Sequence, residues 1–317
     1  MSRSYILGTR RSRLARVQAD NVATLLRSAW PDLALELREI STAGDRTRGP
    51  LPTWGQGVFV KDIEVALLAG EIDLAVHSLK DVPSTLPAGL VLAAVPPRED
   101  PGDVLVTLTG LSIDALPSEA VVGTSSLRRA AFLRAYRPDL QIQAVRGNVD
   151  TRLRKLRDGD QGISYDAIVL AASGLHRLRL DMDTTDFTAW PIPSDVLLPA
   201  PGQGALVIEA RADDRAARDI CAPLHDPTAA AAVTAERRLL RDLGGGCQVP
   251  VAAGATLAGD GTLQLAAAVA SPDGRRVVRQ AIKGPQDEAD ALGAILAQRL
   301  IEAGAAELLA PALVGTS

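Results

Sequence analysis

Over its first two-thirds this chain alternates short apolar runs with segments of helical period, which confines it to layered α/β architectures with helices covering a sheet. Tyr5-Ile6-Leu7 reads as a strand. Ser12 is expected to cap a helix running to about Ala29, because Ala15, Ala19, Val22, Ala23 and Leu26 recur at helical spacing. Trp30-Pro31 ends it, since the residue before proline resists helical dihedrals. Leu33, Leu35 and Leu37 alternate as a second strand, and Gly44 to Gly57 reads as a mobile loop. Phe59 to Leu68 reads as a helix stopped at Gly70, and Asp73 to Val76 as a buried strand. A second unit begins near Asp103, with strands at 120–122, 140–145 and 167–170 and helices at 126–136 and 149–157. Pro191, Pro193, Pro199 and Pro201 mark a crossing segment, after which Ala205 to Glu209 is strand-like and suited to rejoin the first sheet.

Beyond His225-Asp226-Pro227 the order changes. A helix from Thr228 to about Arg241 leads into Gly244-Gly245-Gly246-Cys247-Gln248-Val249-Pro250. Three strands follow, near 251–256, 262–268 and 277–282, then a helix over 285–303, which suggests a separate α+β unit. The expected domains are 1–100 with 203–222, then 103–198, then 226–317. A chain of 317 residues exceeds one typical core.

The two cysteines, Cys221 and Cys247, do not make a disulfide framework. No apolar run reaches the roughly 18 residues of a membrane span, and no secretory signal is visible. A cytoplasmic protein is expected. Net charge is -4, so the molecule as a whole has no bias toward nucleic acid. Basic residues are nonetheless concentrated. From Arg128 to Arg157 there are nine basic side chains and two acidic ones. Arginine suits multidentate binding of carboxylates. Aromatic residues, at 3%, are too scarce for base-stacking platforms. A small polyanionic ligand fits better.

Three segments can carry chemistry. His77-Ser78-Leu79-Lys80-Asp81-Val82-Pro83 follows a strand, where open α/β sheets place ligands. There Asp81 can hold a carboxylate at a fixed angle, to donate a proton or face a developing cation. A surface turn with a solvated ion pair would read the same way. Gly123-Thr124-Ser125-Ser126-Leu127-Arg128-Arg129 joins a strand end, hydroxyls and a helix start to two arginines, the ingredients of an anion site. Arg146-Gly147-Asn148, with Arg152 a turn further on, repeats it. A capped helix with exposed arginines is the plainer alternative. The glycines before Cys247 uncover a thiol that can be a nucleophile or an attachment point, or they form a helix cap beside an incidental cysteine. Gly202-Gln203-Gly204 lacks the strand-turn-helix order of a dinucleotide site, although Gln203 can still face a cleft. His77, His176 and His225 lie apart without ligand spacing, so no metal is expected.

Taken in order, these segments resemble the porphobilinogen deaminase family, from Gly8-Thr9-Arg10-Arg11-Ser12 to Gly284-Pro285-Gln286. The matching pieces include Ala75 to Pro83, Arg98-Glu99-Asp100-Pro101, Val122 to Arg129, Arg146-Gly147-Asn148 with Thr151-Arg152-Leu153, Leu198 to Ala205, and Thr234-Ala235-Glu236-Arg237 before Gly245 to Pro250. The resemblance implies two α/β domains related to periplasmic binding proteins and facing a cleft, plus a smaller C-terminal α+β domain. It implies a transferase of tetrapyrrole and heme biosynthesis that couples four porphobilinogen molecules head to tail with loss of ammonia, and then releases hydroxymethylbilane. It implies a dipyrromethane cofactor joined to Cys247 through a thioether, with Asp81 and Lys80 as catalytic residues. Cofactor contacts would come from Ser78, Lys80, Asp81, Thr124, Ser125, Ser126, Arg128, Arg129 and Gln203. Substrate contacts would come from Arg10, Ser12, Arg146, Gly147, Asn148, Arg152 and Arg177. The partner is then a small molecule, with no nucleic acid or membrane, and the chain a monomer.

Three features depart from the family pattern. Trp54-Gly55-Gln56-Gly57 stands where Gly-Gly-Lys-Gly is common, Arg13 stands where proline is common, and 160–164 resembles a short insertion. The chief rival is a non-catalytic two-lobed binding protein for a small polycarboxylate, which leaves Asp81 and Cys247 without a role. A nucleic-acid binder using the 121–157 patch would show affinity falling steeply with salt.

Overall fold

The computed structural model describes residues 3–42, 60–180, 186–244 and 249–314. β1 (Tyr5–Arg10) and β2 (Leu35–Ile40) are parallel neighbours joined by α1 (Arg13–Ala29). Ser12 caps α1 by accepting from the Ala15 amide, and the helix buries Ala19, Val22, Ala23 and Leu26 together with Gln18. α2 (Lys61–Leu68) packs through Ile63 and Leu67 on a second apolar cluster. β3 (Leu74–Ser78) and β4 (Leu90–Ala94) complete what the chain supplies before it leaves the sheet.

The second sheet is entered by β5 (Asp103–Thr107). It continues with β6 (Val121–Gly123), α3 (Leu127–Tyr136), β7 (Gln141–Gln143), α4 (Val149–Asp158), β8 (Ala167–Ala171), α5 (Ala172–Arg177) and β9 (Thr188–Pro191). β10 (Leu206–Arg211) then returns to the first sheet, as expected. The two sheets have matching orders, β2-β1-β3-β10-β4 and β7-β6-β8-β5-β9. In each, the fourth strand has just arrived from the other lobe and runs antiparallel to both neighbours. β3, β5, β8 and β10 are near-continuous buried runs, as strands covered on both faces must be. Register pairs Ser78 with Leu206 and Ala171 with Asp103. The carboxyl ends of β3 and β8 therefore meet the crossings, and there the lobes can share a ligand.

After α6 (Arg215–Cys221) comes a third unit. It comprises α7 (Pro227–Asp242), the antiparallel sheet of β11 (Val251–Leu257), β12 (Thr262–Ala270) and β13 (Val277–Pro285), then α8 (Ala289–Glu302) and α9 (Ala305–Val314). Strand alternation splits its side chains between two cores. Val251, Ala253, Leu263, Leu265 and Val269 pack with the helices, whereas Ala252, Ala268 and Ala270 join the second lobe's core beside Phe132 and Leu133. Ala229 and Val233 of α7 enter a first-lobe cluster with Leu79 and Val82. This unit thus braces both lobes.

One carboxylate ties all three parts. Glu236, fully buried, accepts from Arg98 Nη1 at 2.7 Å and Nη2 at 3.0 Å, and from the amides of Gly202 and Ala255 at 2.7 Å each. Arg98 Nε donates to the Gln203 carbonyl at 2.9 Å. The two crossings run side by side, with the Glu99 amide donating to the Gly204 carbonyl at 3.2 Å. At Gly204, where φ is +83°, a Cβ would lie 2.4 Å from the Glu99 carbonyl oxygen, so only glycine permits this approach.

Two elements differ from expectation. β7 stops at Gln143, because the carbonyls of Ala144 and Val145 accept from Tyr165 and Ser125 side chains instead of a strand. The expected helix from 285 begins at Ala289, because β13 stays paired with β12 through Pro285 ↔ Thr262. Proline is tolerated there at a strand end on the sheet edge.

Candidate active site

A cleft open to solvent lies between the lobes at the strand ends. The first lobe lines it with Leu14 and Gln18 of α1 and with Ser78 and Lys80; the second does so with Arg129, Arg152, Ser173 and Arg177. Gly202 and Gly204 of the return crossing complete the lining.

In the first lobe β3 ends at Ser78 and a single 3-10 turn, Leu79–Asp81, follows. The Leu79 amide donates to the Ala205 carbonyl at 3.0 Å and the Val82 amide to Leu79 at 3.0 Å, while the Leu79 side chain is buried. Lys80 Nζ donates to Gln203 Oε1 at 3.3 Å. Burial pushes the Lys80 ammonium down to about 8; Arg129 acts in the same direction, and Asp81 and Asp103 oppose it. Ser78 exchanges hydrogen bonds with the Gln18 side chain at 3.1 and 3.3 Å. His77 alternates to the opposite side, where its Nε2 lies 3.0 Å from buried Glu209, a structural pairing.

In the second lobe the hydroxyls of the 124–126 turn are used locally. Thr124 accepts from the Ser126 amide, Ser125 donates to the Val145 carbonyl, and Ser126 caps α3 through the Arg129 amide. Both following arginines turn inward, because Asp103 at the start of β5 lies beneath them. Arg129 donates to Asp103 at 2.7 and 3.0 Å and to the Val169 carbonyl at 2.8 Å. Arg128 reaches Asp103 at 2.7 Å and the Leu198 carbonyl at 2.6 Å. Burial would raise the Asp103 carboxyl, but the charges of Arg128 and Arg129 prevail and hold it well below the usual carboxylate range. Gln203 completes the network by donating to Asp103 at 3.0 Å and to the Pro101 carbonyl at 2.6 Å.

Arg152 crosses back toward the first lobe. Burial lowers its guanidinium to about 10, the nearby charge of Arg129 adds to this, and Asp81 opposes. Its Nε donates to the Gly147 carbonyl at 2.9 Å. Gly147 has φ of +117°, and a Cβ there would meet Thr151 at 2.6 Å. Asn148 caps α4 through the Thr151 amide. Arg177 donates to the Gly204 carbonyl at 2.5 Å.

The structure therefore brings Ser78, Lys80, Arg129, Arg152 and Arg177 to one cleft, with Asp81 acting electrostatically on both Lys80 and Arg152. Arg10, Ser12, Arg146 and Arg128 do not line it. Cys247 and 54–57 lie outside the described residues. The basic run of 128–157 is not one patch. Arg134 binds the Pro272 carbonyl, while Arg137, Lys155 and Arg157 pair with Asp139, Asp160 and Asp158. Only Arg129 and Arg152 of that run line the cleft. Arg13 pairs with Asp150 across the lobes at 2.8 Å, and residues 160–163 close in a tight bridge. Sequence reasoning missed Gln18, Ser173 and Asp103. A glutamine on the apolar stripe of α1 and an aspartate opening a valine-rich strand were the available signals. Cys221 is buried, and its thiol is pushed up to about 12 by burial. Among the described residues no helix is long and apolar enough to cross a membrane, and no group of His, Cys, Asp or Glu could hold a metal ion.

Fold and cleft define a two-lobed protein that gathers cations at its strand ends and is braced by a third unit. Residues 5–219 match the family described as porphobilinogen deaminase, dipyromethane cofactor binding domain, and residues 230–302 match porphobilinogen deaminase, C-terminal domain. A porphobilinogen deaminase of Roseiflexus sp. (strain RS-1) is 51% identical over 312 residues, 98% of this chain and 100% of the relative. That of Syntrophobacter fumaroxidans is 49% identical over 305 residues, 96% of each. That of Thermus thermophilus is 46% identical over 308 residues, 97% of this chain and 99% of the relative. The periplasmic aliphatic sulphonate binding protein SsuA of Escherichia coli is similar at 16% identity and a TM-score of 0.40, over 76% of this chain and 70% of its own. The chain belongs to the porphobilinogen deaminase family.

Proposed function

We propose that this chain is a transferase that condenses four porphobilinogen molecules head to tail, with loss of ammonia, and releases hydroxymethylbilane by hydrolysis. The observation that carries the reading is the cleft itself, lined by Lys80, Arg129, Arg152 and Arg177, with Asp81 acting electrostatically on Lys80 and Arg152. Every ring of substrate and product bears carboxylates, which match that donor set. The residues also fit a dipyrromethane. Among the described residues four cationic side chains line the cleft, and the carboxylates coupled to them are Asp81, Asp103, which Arg128 and Arg129 already neutralise, and Glu99, which acts on Arg177.

When bound through Cys247, a dipyrromethane would supply the free pyrrole α-carbon to which the first ring is joined, each later ring joining the free α-carbon of the ring before it. The chain's own residues do the rest. Lys80, Arg129, Arg152 and Arg177 orient carboxylates, and Gln18 with Ser78 offers neutral hydrogen bonds beside them. An Asp81 carboxyl oxygen protonates the departing amine of the substrate and then faces the cationic pyrrole left behind. Arg10, Ser12, Arg146, Gly147 and Asn148 supply further substrate contacts beyond that lining, and the 124–126 hydroxyls accept further bonds. The three working domains are 1–100 with 203–222, 103–198 and 226–317, in a cytoplasmic monomer.

Asp81→Asn keeps the shape and removes the charge. Turnover should fall by about 10²- to 10⁴-fold with KM nearly constant. The intact mass should still include two pyrrole units, and Cys247→Ser should remove them. Turnover within threefold of the parent would take Asp81 out of the reaction.

A further inference from the structure

α7 has two attachments along its length. It leads in sequence through Leu243 and Gly244 to Cys247, and about one and a half turns before its end Arg237 reaches the segment that carries Asp81. Arg237 Nη1 donates to the Val82 carbonyl at 3.3 Å; Nη2 donates to those of Pro83 at 2.8 Å and Ser84 at 3.1 Å. These acceptors are consecutive and follow Asp81 directly. No helix or strand spans 82–89, so little else fixes the backbone there. Beside the guanidinium, Leu79 and Val82 pack in one buried cluster with Ala229 and Val233 of the same helix. The turn presenting Asp81 is thus held by α7 through polar and apolar contacts together. From Arg237 to Asp242 the helix rises about 7.5 Å, and five residues further on is Cys247.

We propose that Arg237 is a positioning residue: it registers α7 of the third unit against the Asp81 turn of the first lobe, so that one guanidinium fixes where the acid stands in the cleft. The proposal rests on the role given above to Asp81. Arginine is required because two nitrogens of a planar fork reach acceptors at different ends of the run, which a single ammonium cannot do.

The test uses the full chain as purified, comparing Arg237→Met and Arg237→Lys with the parent. Hydrogen exchange of the peptide over 79–86 should be about tenfold faster in Arg237→Met, while 229–236 of α7 stays protected. Scaled to the cofactor-loaded fraction from intact mass, kcat should fall at least about tenfold with KM within twofold, as for a displaced acid. Arg237→Lys should recover part of both. Unchanged exchange over 79–86 overturns the clamp. Faster exchange with an unchanged kcat per loaded molecule overturns the positioning role. If Arg237→Met does not fold, Arg237→Lys carries both readouts, and parental values in it overturn the proposal. Normal turnover of Asp81→Asn would instead sink the assignment of Asp81 and leave the exchange result standing.

Discussion

Glutamine at Glu236 is nearly isosteric with the native residue but cannot satisfy the same partners. Four donors converge on the two carboxylate oxygens: Oε1 takes Arg98 Nη1 and the Ala255 amide, and Oε2 takes Arg98 Nη2 and the Gly202 amide. An amide in either orientation turns its NH₂ toward two of those donors and leaves the largely buried Arg98 side chain without a counter-ion. Removing one partner of a buried pair costs about 3–5 kcal/mol, and each orphaned N–H about 1–3 kcal/mol. The terms overlap, so the expected cost is about 4 kcal/mol, a large share of the roughly 5–15 kcal/mol that holds a domain folded. Because the loss is mostly the stranded charge, Arg98→Met/Glu236→Gln should be less damaging than the sum of the single changes, with a coupling of about 2 kcal/mol. Urea unfolding followed by circular dichroism gives both quantities from the midpoint shift at constant slope. A Glu236→Gln cost under about 1 kcal/mol, or no coupling, would refute the view that this carboxylate joins the three parts.

Lys80 and Gly147 give further tests. The Lys80 ammonium titrates at about 8, so it is charged below that pH and loses its proton above it; KM for porphobilinogen should rise several-fold between about pH 7 and 9, and Lys80→Arg should flatten the rise. For stability the sign is reversed: burying the charged amine costs stability below about 8, and the cost is relieved as pH climbs toward its ordinary value. A parental KM that is flat over that range would show that Lys80 binds no carboxylate. Gly147→Ala forces a side chain into Thr151 at φ of +117°, so about 1–3 kcal/mol should be lost and KM should rise as the Arg152 support shifts. An unchanged melting temperature with unchanged KM would refute this.

Much of the architecture was legible because it rests on local rules. Ser12 and the stripe from Ala15 to Leu26 define α1 without reference to the rest of the chain. Ala205 to Glu209, an apolar run after a proline-rich crossing, is recognisable as a strand because nothing else buries such a run. The short elements β4, β9, α5 and α6 were not legible, since their lengths give no period to detect. The site was legible as chemistry rather than as geometry. That Arg128 and Arg129 would turn inward depends on Asp103, which is remote in sequence and adjacent only once β5 pairs with β8. The same holds for the basic run, whose charges are neutralised by carboxylates and carbonyls that the fold brings up. Glu236 and Arg237 were visible as neighbours in a motif, yet one clasps the crossings and the other the Asp81 turn.

The side-by-side crossings carry a mechanical consequence. Two straps pinned to each other through Glu99 and Gly204 behave as a narrow double rail: torsion about their common line is easy, whereas pulling the walls apart at the floor breaks the Arg98–Glu236 clasp. A cargo that lengthens ring by ring must then be accommodated by pivoting of the walls and by room at the rim, not by a widening gap beneath it.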